Sequence, residues 1–457
     1  MRFSFVFLLV LLASVFLFEC TPSEEEFDLE STPSISFSVD TIFFDTLFVN
    51  RDSASARFRI FNNSSNAVRF DNVSLASPDS QFELIINGDR GNQFQDIEIF
   101  GGDSLLVIVT PRIQTNSETL PFVVLDSIIV SSRSFSDQVK IRAFGQNANF
   151  IPRGQLPCNS VWSNNLPYVL LDTVIVGEGC SLIINEGTRV FNDFNAGLFI
   201  QGKLEVRGSA DSTVLFTNSR RTEEFDGPGQ WRGIFILEGS EGNIVDHATI
   251  RNADFGLRVG SPDDNDLPDL TVSNTTVENM FLSGIIGFTS DIVVTNCNIN
   301  NCRTGAIACL AGGNYQLIHN TIANLSFGFI ADGPAVILSD NLILSDDNIL
   351  AAPIRVELVN NIIWGNMSDE ILLDNGGSQP FELSLNNNII RTENEDLNIN
   401  NNILNEDPLF VDPRNFNYEL DTLSPAMDNG IDIGLDLDLL GNMRDEFPDI
   451  GAFERIE

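Results

Sequence analysis

Val272-Ser273-Asn274-Thr275-Thr276, Val294-Thr295-Asn296-Cys297-Asn298, Ile318-His319-Asn320-Thr321-Ile322, Ser339-Asp340-Asn341-Leu342-Ile343, Val359-Asn360-Asn361-Ile362-Ile363 and Asn386-Asn387-Asn388-Ile389-Ile390 are six variants of one short phrase. Their asparagines 274, 296, 320, 341, 361 and 388 follow at separations of 22, 24, 21, 20 and 27 residues. Val245-Asp246-His247-Ala248-Thr249 puts His247 in the same place one unit earlier. Between these phrases stand short apolar runs opened by glycine: Gly256–Val259, Gly284–Gly287, Gly305–Ala308 and Gly328–Ala331; Asp369–Leu373 continues the set without the glycine. A period of this length, built from strand-like pieces with no helical periodicity, signals a solenoid of short strands. Each turn alone cannot bury its inner face, so stacking must supply the core. Asparagine suits the bend because its amide bonds to neighbouring turns and it tolerates left-handed backbone. The leucine spacing of horseshoe repeats is absent.

Upstream, Val174–Gly179, Leu182–Thr188, Leu198–Gly208, Val214–Thr217 and Trp231–Ile234 read as the opening coils. Downstream, Asp407-Pro408-Leu409-Phe410-Val411, Ser424–Gly430 and Asp449–Glu454 read as a distinct tail. On these residues the chain resembles the right-handed parallel β-helix proteins of the pectate-lyase-like superfamily over about 170–457. That resemblance implies a fold and leaves activity open, because lyases, hydrolases, epimerases and binding proteins share it.

Ahead of the repeats, about seven apolar alternating runs between Ile35 and Phe144, separated by turns such as Asn87-Gly88-Asp89, predict an Ig-like β-sandwich serving as a spacer. The expected organisation is a signal peptide (1–19), an acidic tether (20–31), the sandwich (32–148), the β-helix (149–405) and a closing segment (406–457). The apolar run Phe5–Phe18 is too short to span a bilayer comfortably and fits a signal core. Cys20, followed by Thr21-Pro22-Ser23-Glu24-Glu25-Glu26, resembles a bacterial lipoprotein signal with the acidic export tag of Gram-negative surface lipoproteins. This implies lipidation at Cys20 and a place at the outer membrane or cell surface. Glu19 stands where such signals carry Gly, Ala or Ser, so an uncleaved anchor and plain secretion are the alternatives.

The 457 residues carry 25 basic and 64 acidic side chains, a formal net charge of -39. Such a field repels phosphate backbones and excludes nucleic acid as a partner, while it favours solubility and hard cations. Asp263-Asp264-Asn265-Asp266-Leu267-Pro268-Asp269 is an oxygen-rich loop and the candidate Ca²⁺ site, without EF-hand spacing; a solvated acidic loop is the plainer reading. Of five further cysteines, Cys158 and Cys180 are candidates for a bridge; the alternative is that all are small buried apolar groups.

Catalysis leaves little trace. Aligned on their glycines, the apolar runs place Arg258, Ile286, Ile307, Ile330 and Leu372 at one central position, and that face is nearly bare of charge. A glycosidase needs a pair of carboxylates at fixed separation. Asp332 and Asp374 stand one place beyond the runs, two coils and so about 10 Å apart. Arg251, Asp254 and Arg258 form the other candidate group, with a proton-abstracting arginine in mind. Asp432, Asp436, Asp438 and Arg444 are candidates for a cation site or for salt bridges; the family resemblance implies that they close the tail. Trp231, Tyr315 and Trp364 are the few candidate sugar platforms, packing being the plainer role. The reading is therefore an envelope lipoprotein whose β-helix binds glycan or another envelope partner without catalysis. Polysaccharide lyase or glycoside hydrolase activity is one alternative. The other is a structural or adhesive role with a protein partner, which an apolar exterior stripe would favour.

Overall fold

The structure, a computed structural model, describes residues 32–51, 55–260, 268–345 and 348–456. The chain divides into two compact units, Met1–Gln146 and Asn147–Glu457. No described helix is long and apolar enough to cross a membrane.

The first unit is a β-sandwich. One sheet runs Ile35–Phe37, Ala56–Asn62, Ser104–Pro111, Phe82–Ile86, Asp89–Gly91; the other runs Thr41–Phe48, Ser136–Gln146, Phe122–Ser131, Asn72–Leu75, Gln93–Phe94. Strict alternation decides which faces meet: Phe82, Leu84 and Ile86 are buried, as are Phe58 and Ile60, while Glu83 and Arg59 point away. Thr41–Phe48 pairs parallel with Ser136–Gln146 and every other strand pair in the unit is antiparallel.

The second unit is a right-handed parallel β-helix. Each coil carries three short strands, and equivalent strands of successive coils pair in register to form three ladders. Ladder 1 has eleven strands, from Asn149–Ile151 to Ile403–Leu404. Ladders 2 and 3 share one 16-stranded sheet because Ser283–Thr295 and Gly305–Ile318 run through both. Coils 1 to 9 begin at 149, 168, 189, 214, 248, 276, 298, 321 and 362. Successive coils are one strand spacing apart, about 4.8 Å. Every second side chain points inward: Val190, Phe216, Ile250, Val277, Ile299, Ile322, Ile363 and Ile390 form one unbroken internal stack. β-branched and aromatic residues fill it, as a pleated, closed interior requires.

The asparagines resolve into two corner ladders. Between ladders 3 and 1, His247, Asn274, Asn296, His319, Asn360 and Asn387 hold left-handed backbone, with φ from 48° to 59°. The next residue points inward: Asn320 Nδ2 donates to Asn361 Oδ1, Asn361 to Asn388 and Asn388 to Asn402, each at 3.0 Å. Asn274 and Asn296 therefore sit one residue before the place of Asn320, Asn361 and Asn388, not in it. Asn341 belongs to neither ladder: it opens a hairpin, Asn341–Ser345 with Asn348–Ala351, between ladders 2 and 3. A second ladder at the corner between ladders 1 and 2 is unforeseen in the sequence reading. Asn252 donates to Asn218, Asn279 to Asn252 and Asn301 to Asn279, at 2.9, 2.6 and 3.0 Å.

The glycine alignment fails at one turn. Gly328–Ala331 is loop, with Gly328 at φ 86° and Ile330 85% exposed; the strand of that coil is Val336–Ser339. Residues 406–456 lie along the outer face of ladder 1. Leu420, Ala426 and Ile450 pack on Ile362, Trp364 and Ile389, and Tyr418, Ala452 and Phe453 surround Ala323. Beyond the last coil the core is met by Leu397, from the 3-10 turn Glu395–Leu397.

Candidate ligand-binding surface

Strand alternation fixes what ladder 2 shows to the outside. Its outward rung reads Ile175, Phe199, Phe235, Arg258, Ile286, Ala308, Ile337, Leu372 from coil 2 to coil 9. Register pairs Ile286 with Ala308, not with Ile307, so that alignment was one residue out; the face is as poor in charge as expected. From coil 6 onward it is an apolar stripe. In coils 3 to 5 it is aromatic, with a single cation.

There phenylalanines and arginines interleave. Phe199 and Phe235 stack at 4.6 Å, and Phe255 meets Phe235 edge-on at 6.0 Å. Arg232 lies 5.0 Å from the Phe199 ring and 5.5 Å from Phe235, and Arg258 lies 4.9 Å from Phe288 and 5.9 Å from Phe235. On the flank toward ladder 1, Arg221 stacks over Phe191, Arg220 over Phe225 and Arg303 over Phe281. The insertion between Val214–Asn218 and Gly233–Ile236 supplies Arg220, Arg221 and Arg232. A guanidinium stacked on a ring keeps its N–H edge free for an anion.

Arg303 is paired with Asp332 at 2.7 Å. Among the described residues Arg220, Arg221, Arg232 and Arg258 form no ion pair. The four come together on one surface of a chain that has 64 acidic to 25 basic side chains. Burial lowers the pKa of Arg258, and it lowers that of Arg189, next to Arg221. Asp254, half-buried at the same corner, has its carboxyl pushed up by burial, against the pull of Arg232.

The three residues Arg251, Asp254 and Arg258 do not form one constellation. Arg251 projects from ladder 1, where it is held by Asp226 at 2.8 Å and lies 3.8 Å from Glu278, whose carboxyl burial also pushes up. Only Asp254 and Arg258 reach the arginine–phenylalanine belt. The Asp332–Asp374 pair dissolves. Register places Ser339 opposite Asp374, so Asp332, in the loop before that strand, has no equivalent place. Asp374 accepts from Ser339 Oγ and Asn341 Nδ2 and acts as a turn support.

Asp263, Asp264 and Asp266 lie outside the described residues, as does Cys20. Asp269 is buried and accepts the Asp291 N–H at 2.9 Å, which fixes the start of ladder 3. Cys158 and Cys180 are joined by a disulfide, while Cys297, Cys302 and Cys309 are buried free thiols. In the tail, Arg444 pairs with Glu454 at 3.1 Å and donates to Asn296 Oδ1, rather than meeting the side chains of Asp432 or Asp436. Trp231 and Tyr315 are core residues. The belt was not foreseen because its members are spread over more than a hundred residues and meet only through coil register. The signal available was the run Arg220-Arg221 followed by Arg232 in a chain poor in bases.

No family model matches the chain, and no curated protein matches its sequence. Among solved structures it is similar to a pectate lyase at 13% identity, over 68% of this chain and 88% of that one, with a TM-score of 0.30. It is similar to the A-module of a mannuronan C-5 epimerase from Azotobacter vinelandii at 12% identity, over 54% and 77%, with a TM-score of 0.31. A family 123 glycoside hydrolase from Clostridium perfringens is matched over only 30% of its own length, and 29% of this chain, at 9% identity and a TM-score of 0.19. The likeness is one of fold alone.

Proposed function

We propose that the β-helix binds an anionic glycan along the belt on coils 3 to 6, without turning it over. The observation that carries this is the set of four guanidiniums without an ion pair among the described residues, Arg220, Arg221, Arg232 and Arg258, each laid over a phenylalanine ring. The rings hold the guanidiniums flat, and the guanidiniums offer their N–H forks to carboxylate or sulfate. The net charge of -39 does not forbid it. Fields from distant carboxylates are screened over about 8 Å at physiological ionic strength, so the nearest charges decide the contact. On this reading the chain is exported, lipid-anchored at Cys20, and the sandwich is a spacer. Palmitate labelling that vanishes in Cys20→Ala checks the anchor.

The test uses residues 32–457 on immobilised polygalacturonate, alginate and neutral glucans. Retention on an acidic polymer, falling with salt, is expected. Each of Arg232→Ala and Arg258→Ala should cost about 1.5 kcal/mol, roughly tenfold in affinity. Arg207→Ala, which removes an arginine paired with Glu205 away from the belt, should change nothing. Equal retention of wild type and both belt variants would sink the proposal. A second reading, glycan cleavage, has one observation in its favour: Asp254 sits at the belt with a raised pKa, as a proton-transfer group does. Release of unsaturated or reducing ends that stops in Asp254→Asn would establish it.

A further inference from the structure

A concave site lies toward the other end of the solenoid. A cleft of about 620 Å³ is lined by Trp364, Ser368, Arg391, Glu393, Glu395 and Asp407, with Thr392 and Asn405 in its wall. That volume falls in the range of about 300–1,000 Å³ typical of small-ligand sites. Trp364 stands in the ladder 1 strand Ile362–Gly365 of coil 9; the others come from the turns after this strand and after the next ladder 1 strands, Ile389–Ile390 and Ile403–Leu404, and from the closing segment.

The wall is fixed before any ligand arrives. Thr392 N donates to Asn405 Oδ1 at 3.0 Å and Asn405 Nδ2 donates back to Thr392 O at 2.9 Å. Asp369 Oδ1 accepts from Thr392 Oγ1 at 2.6 Å and from the Glu393 N–H at 2.8 Å. Arg391 lies over the Trp364 indole at 5.2 Å while Nη1 donates to Gly365 O at 2.7 Å, which holds its guanidinium in one place. Ordering costs are thereby met in folding rather than at binding.

The lining chooses the ligand. Three carboxylates against one guanidinium repel an anionic polymer, the opposite of the belt. Chelation of a cation is also disfavoured, because no grouping of three or more His, Cys, Asp or Glu among the described residues has the geometry to hold a metal. The three carboxylates do not converge as a metal-holding group, and none is in an ion pair among the described residues. Carboxylate acceptors, a fixed guanidinium donor, a hydroxyl at Ser368 and the Trp364 indole match an array of sugar hydroxyls. We infer that this cleft binds a neutral saccharide unit, independently of the belt.

The test is isothermal titration of residues 32–457 with cellohexaose, laminarihexaose, maltohexaose and mannohexaose, and with oligogalacturonate as the anionic control. At least one neutral hexasaccharide should bind with a dissociation constant below about 1 mM. The Glu393→Gln/Glu395→Gln double variant keeps the shape of two exposed side chains and should weaken that binding about tenfold or more, as should Asp407→Asn. Arg232→Ala/Arg258→Ala should leave it unchanged, while reducing binding of oligogalacturonate. Absence of binding by all four neutral sugars, or neutral binding indifferent to the Glu393, Glu395 and Asp407 changes, overturns the cleft and leaves the belt standing. Loss of oligogalacturonate binding alone strikes the belt and leaves the cleft.

Discussion

Asn361 shows how much one side chain carries in this fold. Its Nδ2 donates to Leu317 O, Val359 O and Asn388 Oδ1, and its Oδ1 accepts from the backbone N–H and the side-chain amide of Asn320. Asn361→Leu would leave several buried polar groups unmatched, each costing about 1–3 kcal/mol. We expect a loss of at least about 3 kcal/mol in urea unfolding, against less than about 0.5 kcal/mol for an exposed asparagine such as Asn165→Ala. His319 makes a second residue-scale case. It occupies the left-handed corner that Asn296 and Asn360 fill in neighbouring coils, and its ring reaches Gly451 O and Asn360 Nδ2. Burial, with Arg444 alongside, pulls its pKa down to about 3. A folded-state value below the unfolded one near 6.5 means the unfolded chain binds the proton more readily. Stability from neutral His319 is therefore full above about pH 6.5 and is lost as pH falls toward 3, by up to about 1.4 kcal/mol per pH unit. Asp449 and Glu454, within the tail, have pKa values raised by burial and act in the opposite sense. The variant isolates the histidine: His319→Asn should unfold with a shallower loss between pH 6.5 and 4 than wild type, measured by urea titration at each pH. Parallel pH profiles would refute the assignment.

At the scale of the element, the first coils differ from the rest in their fastening. Cys158 and Cys180 lie in the turns between ladders 2 and 3 of coils 1 and 2, and their bond closes a loop of 22 residues. A loop of that size stabilises by roughly 3 kcal/mol through the unfolded chain. Cys158→Ser/Cys180→Ser should raise amide exchange in 149–185 first, and leave coils 5 to 7 protected; uniform loss of protection would mean the bond acts on the whole solenoid. The coils themselves were legible in the sequence because inward stacking demands β-branched residues and corners demand left-handed backbone, and both demands recur every turn. Phase was less legible. Asn274 and Asn320 both serve the corner between ladders 3 and 1, yet from adjacent positions, so the repeat of the letter did not give the register of the structure. Gly328–Ala331 imitates a strand opening, but its Ile330 finds no inner face and points to water. The belt and the cleft were invisible for a third reason. Arg232, Arg258 and Phe288 become neighbours only when coil spacing brings them together, and no pattern along the chain marks that.

Across the whole second unit, the tail decides how the late coils behave. A solenoid's stability is close to a sum of coil terms and nearest-neighbour terms, so local fastening should be felt locally. Coil 9 turns Ile362 and Trp364 outward from ladder 1, and the next strand turns out Ile389; Leu420, Ala426 and Ile450 of the tail cover them, with Phe410 packed alongside. Gly451 is the tightest point of that cover. It has φ 106° and its N–H donates to Asn360 O; a Cβ there would stand 2.8 Å from Thr321 Oγ1 and 2.9 Å from Ile362 Cδ1. Neither the backbone angle nor the space accepts a side chain. Gly451→Val should therefore peel the tail from ladder 1 without touching the inner core. Hydrogen exchange should show early loss of protection in 418–454 and in 360–365, while 168–207 keeps its wild-type rates. Because Trp364 and Asp407 line the cleft, the same variant should also lose neutral-sugar binding, yet keep the affinity of the belt for anionic polymer. Loss of protection in coils 2 and 3 together with the tail would show instead that the β-helix unfolds as one unit, and would remove the basis for treating its two ends as separate sites.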